Sequence, residues 1–291
     1  MNNQPYALFI RGPSQDIFNL AEALGFESHM EALAISIFED KPESDIYHLQ
    51  ALYETGLEAQ QALKHLDLSP ELEAFITQLP DEDWVSLSQK GLPPVDAGRF
   101  WIYGAHDKDK VPENCPWPIH IEAGPAFGTG HHGTTKGCLV IFDNLLKEGK
   151  TFERVLDLGC GAGTLAIAAA MALKISVQAS DIDPDAVDVS LANAKQNNVG
   201  SLINAFQADG FESEALTGQT YDLIFANILA GPLMGLAPDI AKALSPGGTV
   251  ILSGILDELA GNVSKAFEAE NIKIKKGPSL SGWTSLQGEK R

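Results

Sequence analysis

Cysteine is scarce in this sequence: Cys115, Cys138 and Cys160 are the only three in 291 residues. An odd, scattered set with no paired spacing excludes a disulfide framework and points to a reducing compartment. Long hydrophobic runs are missing too, and none would span a bilayer. The first five residues are polar, with neither the basic nor the apolar stretch of a secretory signal. A soluble, cytoplasmic protein is expected. Cations are the third shortage: 20 Lys and Arg stand against 39 Asp and Glu, a net charge of -19. That balance argues against general binding to nucleic acid or to an acidic membrane and favours a cationic partner. It is also uneven. Residues 1–110 hold 7 Lys+Arg against 19 Asp+Glu, a balance of −12, and residues 111–291 hold 13 against 20, a balance of −7.

What is present is an ordinary globular composition, 44% hydrophobic and 20% charged, enough for one large or two ordinary domains. In the acidic first part, residues 6–10 read as a strand. Ser14 can cap a helix with Ile17, Leu20, Ala21 and Leu24 on its apolar face and Gly25 at its end. Leu33, Ile35 and Ile37 alternate, as do Tyr47, Leu49, Ala51 and Tyr53, which predicts a hairpin. Residues 57–66 and 70–79 read as helices, the second through Leu72, Phe75, Ile76 and Leu79, and 84–87 as a last strand. The order β-α-β-β-α-β is the split pattern of ferredoxin-like domains. A smaller N-terminal α+β domain over 1–90 is expected. His29, His48 and His65 are isolated and suggest no metal site. An exposed sheet face with negative charge suits substrate binding, and the acidity serves solubility equally well. Residues 91–118 read as a linker, with Pro93 and Pro94, a strand or extended segment at 99–103 and a charged, Pro-containing loop at 107–118; a short strand is expected at 119–121.

Residues 119–291 carry the chemistry. Val155, Leu156, Asp157, Leu158, Gly159, Cys160, Gly161, Ala162, Gly163 and Thr164 describe a buried strand, a tight turn and a helix start. Further strands are expected at 175–180, 202–207, 221–226 and 249–253, with helices at 186–197, 233–244 and 257–269 between and after them. A final antiparallel hairpin pairs 272–275 with 283–287. Alternating strands and helices give an α/β, doubly wound Rossmann-like sheet with its ligand at the C-terminal strand ends. Ahead of it, residues 124–135 hold four glycines and three hydroxyls, a loop suited to a lid or clamp, with Thr134 or Thr135 opening a helix. It is not a P-loop, because no Gly-Lys-Ser/Thr follows. His131 and His132 in that loop lack a third ligand at a diagnostic spacing and suit a polar contact better than a metal.

The glycines decide between cofactor classes. In the dinucleotide fingerprint the third glycine lies five residues after the first, whereas Gly159, Gly161 and Gly163 lie at offsets of 0, 2 and 4. Asp157, at the strand end, would repel a pyrophosphate and suits the cationic S-adenosylmethionine. Asp181, at the second strand end, can accept the ribose hydroxyls, and Asp209, at the third, is placed for the adenine amino group. Each of the three could instead cap a helix.

These residues resemble a known family. Asp157 to Gly163, Asp181 to Pro184 and Pro246 to Gly248 are similar to class I S-adenosylmethionine-dependent methyltransferases. Ala126 to Thr135 and the segment Asn227-Ile228-Leu229-Ala230-Gly231-Pro232-Leu233 resemble the methyltransferases of ribosomal protein L11, the PrmA family. The resemblance implies S-adenosyl-L-methionine as cofactor, and methylation of lysine and N-terminal amino groups of that basic ribosomal protein. It also implies an N-terminal domain that recognises the substrate, with Thr135, Gly159, Asp181 and Asn227 as cofactor contacts. Phe127, Thr134, Asp157, Gly161 and Asp209 complete the expected cofactor-binding set. The family loop often reads Thr-His-Pro-Thr-Thr where this chain has His131, His132, Gly133, Thr134 and Thr135, a more flexible version. Asn227 is the expected catalytic residue, its amide orienting the attacking amine; a capping role for the next helix is the competing reading. A monomer is expected. Methyltransferases of glutamine or of bases usually carry Asn-Pro-Pro-Tyr or Asp-Pro-Pro-Tyr at this position, and Ile228 and Leu229 offer no such stacking platform. Another protein or an RNA is the alternative substrate.

Overall fold

The computed structural model describes residues 6–26, 32–39, 45–66, 68–70, 72–78, 94–121 and 133–291. The chain divides into two compact units, Met1–Trp84 and Val85–Arg291.

In the first unit, β1 (Tyr6–Pro13), α1 (Ser14–Phe26), β2 (Ala34–Glu39), β3 (Ile46–Tyr53), α2 (Gly56–His65) and β4 (Glu73–Gln78) follow in the order β-α-β-β-α-β. The strands form an antiparallel sheet in the order β2-β3-β1-β4. Leu8 and Ile10 of β1, Leu49, Ala51 and Tyr53 of β3, Ile17, Leu20 and Leu24 of α1, and Ala59 and Ala62 of α2 share one core. Thr55 starts α2 through a capping box. Its hydroxyl accepts from the Glu58 N–H at 3.3 Å, and the Glu58 carboxylate accepts from the Thr55 N–H at 2.9 Å.

The expected helix over 70–79 is instead strand β4. Phe75 and Ile76 fit a helical stripe on paper, but the outer edge of β1 offers a ladder from Tyr6↔Gln78 to Arg11↔Glu73. Pairing there puts Ala74 and Ile76 against the core and turns Phe75 to the opposite face. Short apolar runs carry both periods, and the available edge decides between them. β4 thereby fills the final strand position of the split pattern; residues 84–87 lie outside the described residues.

The linker reading of 91–118 fails where the structure describes it. β5 (Val95–Ala97), β6 (Phe100–Tyr103) and β7 (Trp117–His120) form a three-stranded sheet within the second unit, β5/β6 antiparallel and β6/β7 parallel. Phe100 stacks on Phe142 with ring centroids 5.7 Å apart. Arg99 Nε donates to the buried Asp143 carboxylate at 2.5 Å. The strand or extended segment expected at 99–103 is β6 and the short strand expected at 119–121 overlaps β7, whereas the three residues of β5 are too short to show a period.

That helix is α3 (Gly133–Lys147). It precedes β8 (Val155–Leu158), α4 (Thr164–Leu173), β9 (Val177–Asp181), α5 (Pro184–Gln196), β10 (Ile203–Gln207), β11 (Tyr221–Asn227), α6 (Ala230–Gly235), α7 (Ala237–Ala243), β12 (Leu244–Leu256), α8 (Ala260–Ala269), β13 (Ile272–Leu280) and β14 (Trp283–Lys290). The expected helix over 233–244 is thus two short ones, and Pro238 sits at the start of the second. The seven strands run β10-β9-β8-β11-β12-β14-β13, parallel except for β14, which is antiparallel to both neighbours. Successive strands leave β8 in one direction through β9 and β10, and in the other through β11 and β12. That reversal between β8 and β11 is the switch point at which an open α/β sheet makes its crevice. Leu156, Leu158, Ile224 and Ala226 pack on one side with Leu233, Ile240 and Phe267. Val155 and Phe225 pack on the other with Cys138, Phe142 and the alanines of α4.

Removing the Thr55 hydroxyl (Thr55→Ala) is expected to destabilise the first unit by about 1 kcal/mol. Chemical denaturation followed by circular dichroism measures it, and an unchanged midpoint would contradict the capping role.

Candidate active site

The turn after β8 is built on left-handed backbone. Gly159, Gly161 and Gly163 have φ of 70°, 51° and 79°, a conformation that glycine adopts without a Cβ penalty. A Cβ on Gly159 would also overlap the Ile228 side chain, and one on Gly163 the Ser190 hydroxyl. The turn is strapped to the neighbouring strand. The Gly159 and Cys160 N–H groups both donate to the Ser180 carbonyl, at 2.8 and 3.0 Å. The Gly161 N–H donates to Asp181 Oδ2 at 2.8 Å. Asp181 Oδ1 accepts from the Asp183 N–H at 3.1 Å. A carboxylate has about four acceptor directions, so the half-buried Asp181 keeps capacity for a ligand's hydroxyls. The Ala208 N–H donates to the Asp181 carbonyl at 2.8 Å, which brings the end of β10, and the exposed Asp209 after it, beside the end of β9.

Asp157 does two things. Its Oδ2 accepts the Ala166 N–H at 2.9 Å, in the first turn of α4, so the capping alternative holds for one oxygen. Its Oδ1 is buried and has no hydrogen-bond partner among the described residues. Asp157 is only 1% exposed. Burial pushes its pKa up to about 7; the Ala166 N–H works against that rise and the Asp181 charge adds to it. A buried carboxyl held this way has a use for a nearby cation.

Asn227 ends β11. In the parallel ladder Asp157 lies opposite Phe225, so Asn227, two residues on, points to the same face of the sheet as Asp157. On that face α3 brings Thr134 and Thr135, each 1% exposed. Asn227 Nδ2 donates to Thr135 Oγ1 at 3.3 Å. Asn227 Oδ1 is buried and has no partner among the described residues. Asn227 does not cap the following helix: Leu229 occupies the N-cap of α6, with no side-chain capping bond. The capping alternative is therefore removed for this residue.

These features match a family. A family model described as "Ribosomal protein L11 methyltransferase (PrmA)" matches residues 15–291. The chain belongs to this family. A ribosomal protein L11 methyltransferase of Caulobacter sp. (strain K31) is 40% identical over 283 residues, covering 97% of this chain and 96% of that protein. One from Rhizobium meliloti (strain 1021) is 47% identical over 209 residues, 72% of this chain and 71% of the relative. The crystal structure of a ribosomal protein L11 methylase from Lactobacillus delbrueckii subsp. bulgaricus aligns with a TM-score of 0.60 at 27% identity, covering 68% of this chain and 99% of that one. The larger unit is thus a class I methyltransferase fold.

The structure brings Thr134, Thr135, Asp157, Gly159, Gly161, Asp181 and Asn227 to the C-terminal ends of β8, β9 and β11 and the start of α3. Asp209 sits at the edge of the group. Phe127, His131 and His132 lie outside the described residues. Among the described residues no cluster of three His, Cys, Asp or Glu is placed to hold a metal, and no helix is long and apolar enough to cross a membrane. Sequence reasoning missed the polar groups behind Asn227. Ser253, its register neighbour on β12, is fully buried, and its hydroxyl lies 2.8 Å from that of Ser285 on β14. The Ser253 hydroxyl inside the apolar run 250–256 was the available signal.

The raised pKa of Asp157 has a thermodynamic consequence. Between about pH 4 and pH 7 the unfolded chain has released a proton that the folded chain retains, so this group makes stability fall as pH rises through that window. Asp157→Asn keeps an acceptor for Ala166 and abolishes the titration. Urea unfolding across that window is expected to show a steeper decline for the parent than for the variant, by up to about 1.4 kcal/mol per pH unit. Equal slopes would contradict the assignment.

Proposed function

We propose that the chain transfers methyl groups from S-adenosylmethionine to lysine side-chain and N-terminal amino groups of ribosomal protein L11, acting as a monomer in the cytoplasm. The names of its relatives support the reaction class and the substrate. The observation that carries the chemistry is the neutral, buried acceptor Asn227 Oδ1, without a partner among the described residues, on the same sheet face as Asp157.

The residues fit a cationic cofactor. Asp157 Oδ1 is a buried acceptor with no partner among the described residues, the left-handed glycines let backbone approach closely, and Asp181 has acceptor capacity to spare for ribose hydroxyls. Asp157, Gly159, Gly161, Asp181 and Thr135 would hold the group, with Thr134 and Asp209 at its margin. When bound, S-adenosylmethionine supplies a methyl group on a positively charged sulfur. The chain must then present a neutral amine in line with that bond. At pH 7 deprotonating a lysine costs about 4–5 kcal/mol and an α-amino group only about 1–1.5 kcal/mol. A carboxylate at position 227 would hold the amine as ammonium. The Asn227 amide oxygen accepts one N–H without that penalty and leaves the nitrogen lone pair free. Thr135 keeps the amide turned so that its oxygen faces outward from the Thr135 contact. Positioning and exclusion of water carry the step, and the proton leaves to solvent.

The first unit supplies recognition in this reading. It holds three Lys+Arg against sixteen Asp+Glu over residues 1–84, a balance of −13, which suits a basic protein. On the sheet face away from its helices, Phe9 stacks on Phe75 with centroids 5.1 Å apart and an interplanar angle of 19°. Phe75 is 58% exposed, an aromatic anchor of the kind that dominates protein interfaces.

Incubation with labelled S-adenosylmethionine and purified large-subunit proteins tests the reading. Label in ribosomal protein L11 is expected; label in another protein or in RNA, or in none, would overturn it. Asn227→Ala is expected to lower kcat on the order of 100-fold with cofactor affinity nearly kept, and Asp181→Ala to do the reverse. Full turnover in Asn227→Ala would contradict the orienting role. Phe75→Ala is expected to raise KM for the protein substrate about tenfold with cofactor binding unchanged, and an unaltered KM would remove this face from recognition.

A further inference from the structure

The helix that carries Thr135 is seated on the C-terminal hairpin with no room to spare. Gly133, Gly137 and Ile141 lie four residues apart along α3, on one stripe. A Cβ on Gly133 would lie 2.7 Å from the Leu280 carbonyl of β13. A Cβ on Gly137 would overlap Ser285 Oγ of β14 and stand 3.1 Å from Ser285 Cβ. One turn further, Ile141 Cδ1 lies 2.6 Å from where a Cβ on Gly277 would sit. The height of α3 above the sheet is therefore set by backbone-close contact with β13 and β14, which follow the residues of the reaction in sequence.

Two routes lead from that seat to Asn227. The first is α3 itself, because Thr135 accepts the Asn227 amide N–H. The second runs through the sheet. Ser285 Oγ lies 2.8 Å from Ser253 Oγ, and Ser253 is paired with Asn227 in the β11–β12 ladder. The buried Cys138 thiol, on α3 one turn from Thr135, also lies beside Ser253. Ser253 and Ser285 are both essentially unexposed. Ser285 cannot swing its hydroxyl away from an added methyl on Gly137 without abandoning Ser253, and its Cβ would remain tight in either case. Added bulk must lift α3 or break the hydroxyl pair, and both disturb the surroundings of Asn227.

We propose that Gly137 and Ser285 are positioning residues for methyl transfer: their contact sets the height of α3, and through Thr135 and Ser253 the orientation of the Asn227 amide. This rests on the role given to Asn227 above. The antiparallel hairpin β13–β14 then does more than close the sheet, since it is the seat that fixes the reaction geometry from behind.

The test compares full-length Gly137→Ala, Ser285→Gly and the double variant well below their melting transitions. Two readouts are followed: kcat, and the side-chain amide signal of Asn227 in nitrogen-labelled protein, assigned by its loss in Asn227→Asp. Gly137→Ala is expected to shift the Asn227 signal and to lower kcat on the order of tenfold. In the Ser285→Gly background, where the space the methyl needs is vacant, adding Gly137→Ala is expected to leave the signal and kcat at the values of Ser285→Gly alone, as coupled neighbours do. A role in stability alone would lower the melting temperature and leave both readouts in place, which would overturn the proposal, as would a loss of kcat on Gly137→Ala that is equally large in the parent and in the Ser285→Gly background. If Gly137→Ala does not fold, Ser285→Gly alone removes the seat and is expected to move the Asn227 signal; an unmoved signal overturns the proposal. If the parent methylates no substrate, the functional reading fails, and the amide signal still decides whether the hairpin positions Asn227.

Discussion

The parallel pairing of β8 with β11 is the constraint on which the site depends. Their connections leave in opposite directions across the sheet, so neither strand end is covered by the helix of the other, and a crevice opens between them. Into it the chain places two buried acceptors without partners among the described residues, Asp157 Oδ1 and Asn227 Oδ1. Each costs about 1–3 kcal/mol as an unsatisfied group. The surrounding packing offsets that cost: the alanines of α4 and the ring of Phe225 are fully buried on the same side of the sheet. The strain is thus confined to the strand ends, where a charged ligand and an amine can relieve it.

The two acceptors differ in charge, and the difference suits the tasks we propose for them. Asp157 is an ionisable group whose buried position makes a cation welcome. Asn227 is neutral and leaves an amine free to lose its proton. In the proposed reaction, exchanging the two residue types would put a fixed charge beside the nucleophile and remove one from beside the sulfonium. Neither residue stands alone. Asp157 is held by the first turn of α4, and Asn227 by a helix that rests on the final hairpin, so one reaction centre draws on elements from residue 133 to the C-terminal strand.

Local sequence determined the elements whose residues carry a strong period or a backbone requirement. The strand, turn and helix from Val155 to Leu173, with glycines at alternate positions, had one solution, because a left-handed backbone at three positions is affordable only for glycine. The alternation of strands and helices after it gave the doubly wound sheet, and the strand-end positions of Asp157, Asp181 and Asn227 followed. Tertiary structure decided the rest. Whether Phe75 and Ile76 belong to a helix or a strand depended on the free edge of β1. Whether residues 95–120 are a linker depended on α3 offering Phe142 and Asp143 as partners. That Asp157 caps with one oxygen while Asn227 does not cap at all depended on where α4 and α6 begin. The link from Ser285 and Gly137 to Asn227 joins residues up to 148 positions apart in a sequence of 291, and no local pattern records it. Periodicity and backbone preference act over a few neighbours, whereas register, seating and the pairing of buried polar atoms exist only once distant segments are in contact.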